Sequence, residues 1–352
     1  MPEIFETDLK LHIKNKEFSN LYFIYGNEPY LKEFYAGKII EKSVKKDFAM
    51  FNLHVFDGDN LSLNDVASCC ESLPMMDEHA CIVVKDYRFD KANESDKKQI
   101  EEIISDIPET NILVFWIQNA EVDVKKNEKW KKTITMMNKY GSVICLDKKT
   151  RSQLVKLLVS GASKRECTLS SQNAEYLINL VGDDMNNLLN ELEKLCFYAD
   201  KGEIKKEAID TLAVRSVSAR VFDLATDIIQ GRNEKAFEVL KTLISQKEEP
   251  VNINSQLINA YVDIYRAKVF AEAGERPDGA AKYYNYQNRA FRLTNAARDA
   301  SKIDISAIRI CLDILASADT KLKSSAINKT LILEETIVKL ILAANGERIN
   351  VE

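Results

Sequence analysis

Gly26, Leu31, Lys32 and Glu33 stand in the register of a phosphate-binding loop. In the pattern G-x-x-x-x-G-K-[ST], backbone N–H groups cradle the phosphates, the lysine neutralises them and the hydroxyl holds magnesium. Counted from Gly26, Lys32 takes the lysine position, but Leu31 replaces the second glycine and Glu33 the hydroxyl. Pro29 brings no N–H, and Glu28 and Glu33 add negative charge where phosphate would sit. These residues describe a degenerate loop that does not bind nucleotide, with Lys32 read as a surface lysine.

A second group could do chemistry of another kind. Leu73, Pro74, Met75 and Met76 follow Ser72 in a connection between a helix and a strand. Surface connections avoid large apolar residues, and Pro74 ends the helix and keeps the residue before it extended. Two readings stand side by side: the side chains fold back onto the sheet, or they protrude as a hydrophobic plug whose unbranched methionines adapt to a partner's pocket.

The remaining constellations carry less. Cys69, Cys70, His79 and Cys81 crowd together without a C-x-x-C, so buried thiols are expected rather than a metal site. The histidines are scattered, no nucleophile elbow or H-E-x-x-H occurs, and Glu191 and Glu193 read as solvated helix faces, so no catalytic residues and no metal are expected. Residues 283–292 mix aromatics with basic groups; Tyr283, Arg289 and Arg292 could stack on and pair with single-stranded nucleic acid, or serve helix packing with cation–π pairs.

The elements that would position these residues change character along the chain. Up to about residue 147, strand-length apolar runs recur at Leu21–Tyr25, Asn52–Phe56, Cys81–Val84, Ile112–Ile117 and Val143–Leu146. Helix-length segments lie between them, at Pro29–Lys46, Leu61–Ser72 and Glu94–Asp106. Runs with little alternation, separated by helices, imply a mostly parallel sheet covered on both faces. After about residue 148 the apolar spacing becomes i, i+3, i+4 throughout, with Gly182 separating two helices and a break near Ala213–Ser218, where Ser218 is placed to cap the next helix. The expected architecture is an α/β domain over 1–147, a small helical domain over 148–214 and a larger helical domain over 215–352.

Composition narrows the function classes. Lys and Arg number 49 against 54 Asp and Glu, so no whole-chain positive field marks a nucleic-acid binder. The N-terminal stretch has no apolar core of a signal peptide, the longest apolar run is far too short to span a membrane, and seven cysteines are scattered over the chain. A cytoplasmic protein with reduced thiols and no membrane partner is expected.

Taken together, these pieces resemble the delta subunits of bacterial DNA polymerase III clamp loaders. The resemblance rests on LYFIYGNEPYL at Leu21–Leu31, SLPMM at Ser72–Met76 before the CIVV strand, LLNELEKLCFY at Leu188–Tyr198, VFDL at Val221–Leu224 and ADTKLKS at Ala318–Ser324. It implies a RecA-like AAA+ domain, a helical lid and a helical collar that assembles the loader with its delta prime and tau/gamma subunits. It implies no ATP hydrolysis and no cofactor, a non-catalytic accessory role in a DNA polymerase holoenzyme, and contact with primed DNA within the assembled loader. It also implies that Leu73, Pro74, Met75 and Met76 enter a pocket of the ring-shaped sliding clamp, the beta subunit, with Met where aromatics are common. The rival readings from the residues alone are an active AAA+ ATPase and a nucleic-acid-binding helical scaffold.

Overall fold

The computed structural model describes residues 4–286, 290–324 and 328–347. At the bond between Lys149 and Thr150 the chain divides into two compact units.

The first unit is built on five parallel strands: β1 Leu21–Tyr25, β2 Leu53–Asp57, β3 Ala80–Lys85, β4 Asn111–Trp116 and β5 Ser142–Cys145. Their order across the sheet is β2-β3-β4-β1-β5, all parallel. Leu21 pairs with Leu113, Tyr22 with Ser142, Val83 with Val114 and Val55 with Val83. The three inner strands are buried along nearly their whole length, which is why their sequences run apolar without alternation.

On one face Phe23, Ile82, Leu113 and Phe115 pack with Phe89, Ile100, Trp130 and Met137, the last three from the helices Glu94–Ser105 and Glu128–Tyr140. The helix Pro29–Ser43 buries Leu31, Tyr35 and Ile39 and packs against β1, β3 and β4. Cys70 and Cys81 are buried, and burial pushes both thiols up to about 12, which makes them inert.

A parallel sheet has two chemically different ends. The loops after β1, β3, β4 and β5 gather at its carboxyl end, while the connections into β2, β3 and β4 gather at its amino end. The degenerate loop belongs to the first group and the Leu73–Met76 connection to the second.

Among the described residues the second unit is helical apart from one isolated bridge, Thr168 with Glu203. Ser171–Val181 ends at Gly182, whose φ of 96° suits glycine, before Met185–Ala199 begins. The next long helix, Val217–Ile229, is capped by Ser216 and not by Ser218, whose hydroxyl instead meets Gln256. Two residues of offset put Ser216, not Ser218, in reach of the third N–H of that helix. The long helix Pro250–Glu272 packs against Phe291–Ala300 and Ile305–Ser324, and a core through Leu224, Leu240, Leu257, Tyr261, Leu315 and Ile337 holds them together. Glu191 is not a solvated carboxylate either: it is mostly buried, pairs with Lys194 and accepts from the Val214 N–H.

Candidate functional site

At the carboxyl end of the sheet, the backbone of the degenerate loop is engaged inwardly. Glu28 N–H donates to the Leu146 carbonyl at 2.9 Å, Asn27 N–H to Asp147 Oδ1 at 3.1 Å and Tyr30 N–H to Glu28 Oε1 at 3.3 Å. Gly26 lies so close to Leu146 that a Cβ there would sit 2.3 Å from its carbonyl oxygen, and its φ is 123°. The loop therefore closes against the segment after β5 and leaves these N–H groups pointing at protein.

Lys32 is not a surface lysine. It is 2% exposed, and its ammonium donates to the Gln118 carbonyl at 2.8 Å. Burial draws its pKa below the ordinary value, against the opposing pull of the Asp86, Glu28 and Asp147 carboxylates. Asp86 in turn accepts from the N–H groups of Gln118 and Asn119, both at 2.7 Å. A lone lysine on a helix reads as solvated from the sequence. Only the strand order brings Asp86, Gln118 and Asp147 around it.

The amino end is the reverse. Leu73 is 78% exposed, Met75 55% and Met76 78%, so the fold-back reading of this connection does not hold. Pro74 between them is half-buried. Three side chains fix this connection in place. Asn52, itself buried, accepts the Met75 N–H at 2.7 Å and donates to the Met75 carbonyl at 2.9 Å. Asn111, the fully buried first residue of β4, donates to the carbonyls of Cys70 and Ser72 at 2.6 and 2.7 Å. Asp77 turns inward and accepts the Lys45 N–H at 2.7 Å and the Glu78 N–H at 2.8 Å, with the Lys45 ammonium 3.3 Å away. Burial raises the Asp77 pKa, but those donors outweigh it and the carboxyl lies below its usual range.

Between these anchors Met76 adopts a left-handed conformation with φ of 57°. That conformation costs about 1–2 kcal/mol for a non-glycine residue and persists where its surroundings enforce it. Sequence reading found the tip and missed all three anchors. Asn52 read as the first residue of a strand; it ends the short helix Ala49–Asn52 instead. An asparagine opening an otherwise apolar strand, as at Asn111, was the available signal.

The described residues of the aromatic and basic segment, on either side of 287–289, engage the helix Pro250–Glu272. Arg292 Nε lies 2.8 Å from Asp263, which also accepts from the Tyr286 hydroxyl at 2.7 Å. The Arg266 guanidinium stacks 3.7 Å over the Tyr284 ring. Arg292 is thus engaged internally, whereas Tyr283 is 73% exposed with its ring edge near Phe270. Arg289 lies outside the described residues. No group of acidic, histidine or cysteine side chains among the described residues is arranged to hold a metal, and none of their helices is long and apolar enough to cross a membrane.

Comparison with known proteins gives consistent results over both units. The family described as "DNA polymerase III, delta subunit" matches residues 22–145, and "DNA polymerase III delta subunit, C-terminal domain" matches residues 218–340. DNA polymerase III subunit delta of Bacillus subtilis is 26% identical over 343 residues, covering 95% of this chain and 96% of that protein. A probable DNA polymerase III subunit delta of Aquifex aeolicus is 22% identical, covering 82% of this chain and 84% of its own. The solved structure of the Bacillus subtilis DNA clamp loader delta protein superposes with a TM-score of 0.62 at 24% identity, over 95% of this chain and 99% of that one.

Proposed function

The chain belongs to the DNA polymerase III delta subunit family, and from that premise we propose that it is the clamp-loader subunit that grips and opens the sliding clamp. The observation that carries the reading is a tip whose side chains are free while its main chain is locked. Fully burying Leu73, Met75 and Met76 would contribute about 4.5–9 kcal/mol, at about 1.5–3 kcal/mol per side chain. Association costs of roughly 4–15 kcal/mol stand against that. The three anchors reduce the opposing term, since fixing one loose residue costs about 1–2 kcal/mol of backbone entropy. Even so, the tip alone leaves little surplus.

Tight grip does not open a ring. A ligand shifts a two-state equilibrium only by its differential affinity for the two states. The tip must therefore fit the clamp's opened form better than its closed form, and a rigid tip discriminates between shapes better than a pliant one. In this reading residues 148–214 are a lid and 215–352 a collar that assembles with the delta prime and tau/gamma subunits in the cytoplasm. Primed DNA is met within that assembly, with Tyr283 as the contact residue left free among those described. The internally engaged loop around Lys32 supports a subunit that neither binds nor hydrolyses ATP.

The test is a calorimetric titration of the cognate clamp with the full chain and its Leu73→Ala/Met75→Ala variant. Both side chains are exposed, so the melting temperature should hold while clamp affinity falls about a hundredfold or more. Unchanged affinity would reject the reading.

A further inference from the structure

Next to the tip lies a second exposed apolar pair to which nothing above gives a role. Met50 is 82% exposed and Phe51 49%, both in the four-residue helix Ala49–Asn52 that precedes β2. Adjacent large apolar side chains facing water are uncommon on a solitary surface and mark a contact when they cluster with others.

They do cluster here. Asn52, the next residue, is the one whose amide holds both main-chain groups of Met75. Phe51 and Met50 are therefore only about 4 and 8 Å of chain away from a residue in hydrogen-bond contact with the tip. The segment is tied at its other end as well, through the Lys45 N–H and ammonium to Asp77. Residues 45–52 and 72–78 thus form two segments laced together at two points, each carrying exposed apolar side chains. Lys45, Lys46 and Asp47 are exposed beside them, which gives an apolar centre with a charged margin, the composition of a protein–protein contact.

We propose that Met50 and Phe51 form a second contact with the same partner that receives Leu73, Met75 and Met76, so that the docking surface is a two-loop unit. This rests on the reading that the tip enters a sliding clamp. The occupant is that clamp, since Met50 and Phe51 adjoin Asn52, which is bonded to Met75, so the two exposed apolar patches are contiguous. The contact supplies apolar area that the tip alone lacks.

Methionine chemistry gives a test on the unaltered chain. A brief peroxide pulse, dosed to oxidise about one methionine per molecule, is applied to the free chain and to the chain saturated with cognate clamp. Sulfoxide at each position is then read by mass spectrometry. The expected result is that Met50, Met75 and Met76 are all protected about fivefold or more. Met50 oxidising at its free rate while Met75 and Met76 are protected overturns the second contact and leaves the proposed function standing. Failure to protect any of the three in a complex shown to be saturated overturns both. Independently, Met50→Ser/Phe51→Ser should weaken clamp binding about tenfold with no change in melting temperature. Full affinity in that variant also overturns the inference, and if the variant does not fold the footprint decides.

Discussion

The two ends of the five-stranded sheet use similar materials in opposite ways. At the carboxyl end, Lys32, Glu28, Asp86 and Gln118 direct their polar groups at one another and at the loop. At the amino end, Asn52 directs its amide at the main chain of Met75, Asn111 at the carbonyls of Cys70 and Ser72 just before the tip, and Asp77 at the Lys45 and Glu78 N–H groups, which leaves Leu73, Met75 and Met76 in water. Buried polar groups seal one end and present the other. What a sheet end binds is decided by where its buried polar groups point, more than by which residues line its loop.

Three substitutions probe that contrast. The largest effect on stability is expected from Lys32→Met, which leaves carboxylates and the Gln118 carbonyl facing an apolar side chain. Removing one member of a buried charged group costs about 3–5 kcal/mol, so urea denaturation at neutral pH should show a loss of about 3 kcal/mol. Clamp affinity should not change, because the proposed clamp contact is at the other end. A loss below about 1 kcal/mol would mean that the lysine only fills space.

Asn52→Ala comes next. It deletes two hydrogen bonds and leaves both Met75 main-chain groups unmatched, at about 1 kcal/mol each, for a loss of about 2 kcal/mol. Unlike Lys32→Met it should also weaken clamp binding about tenfold with every tip side chain intact. Retained affinity would show that the tip does not need its cradle.

The smallest effect is expected from Glu6→Gln. Burial raises the Glu6 pKa, but hydrogen bonds from Lys10, Lys149 and Tyr35 reverse this and hold the carboxyl at about 2. The native state thus binds the Glu6 proton less tightly than the unfolded chain. The resulting stability is complete above about pH 4.5 and is lost as pH falls toward 2. With solvent screening of a partly exposed group, this contribution is about 1 kcal/mol. Glu6→Gln should flatten the acid limb of a stability profile by that amount and leave clamp binding untouched at neutral pH. An unaltered limb would remove Glu6 from the network.

β1, β3, β4 and β5 were legible as apolar runs because strands buried nearly throughout leave little else to encode, while the half-exposed edge strand β2 was marked only by its Leu53, Val55 and Phe56. Helix boundaries were approximate: Pro29–Lys46 ends at Ser43, and Leu61–Ser72 runs from Leu63 to Glu71. The tip was legible as a misplaced apolar stretch around a proline. Its exposure was not, since whether Leu73 turns in or out depends on Asn52 and Asn111, which lie 21 positions before and 38 after it in the sequence. Lys32 was misread for the same reason, because its surroundings are assembled from the ends of separate strands. The aromatic segment was readable as packing for Arg292 once Asp263, a helix away, is known to face it.

One property of the cradle reaches further. Of residues 70–76, Asn52 and Asn111 grasp only peptide groups, which every residue type shares, so the scaffold is indifferent to what positions 73, 75 and 76 carry. If the tip enters a clamp as proposed, those side chains can be exchanged for larger or smaller ones as the receiving socket changes shape, without the sheet beneath registering the difference. The molecule behaves as a tool handle with a replaceable bit, and two lineages of bit and socket can drift together while the handle stays the same.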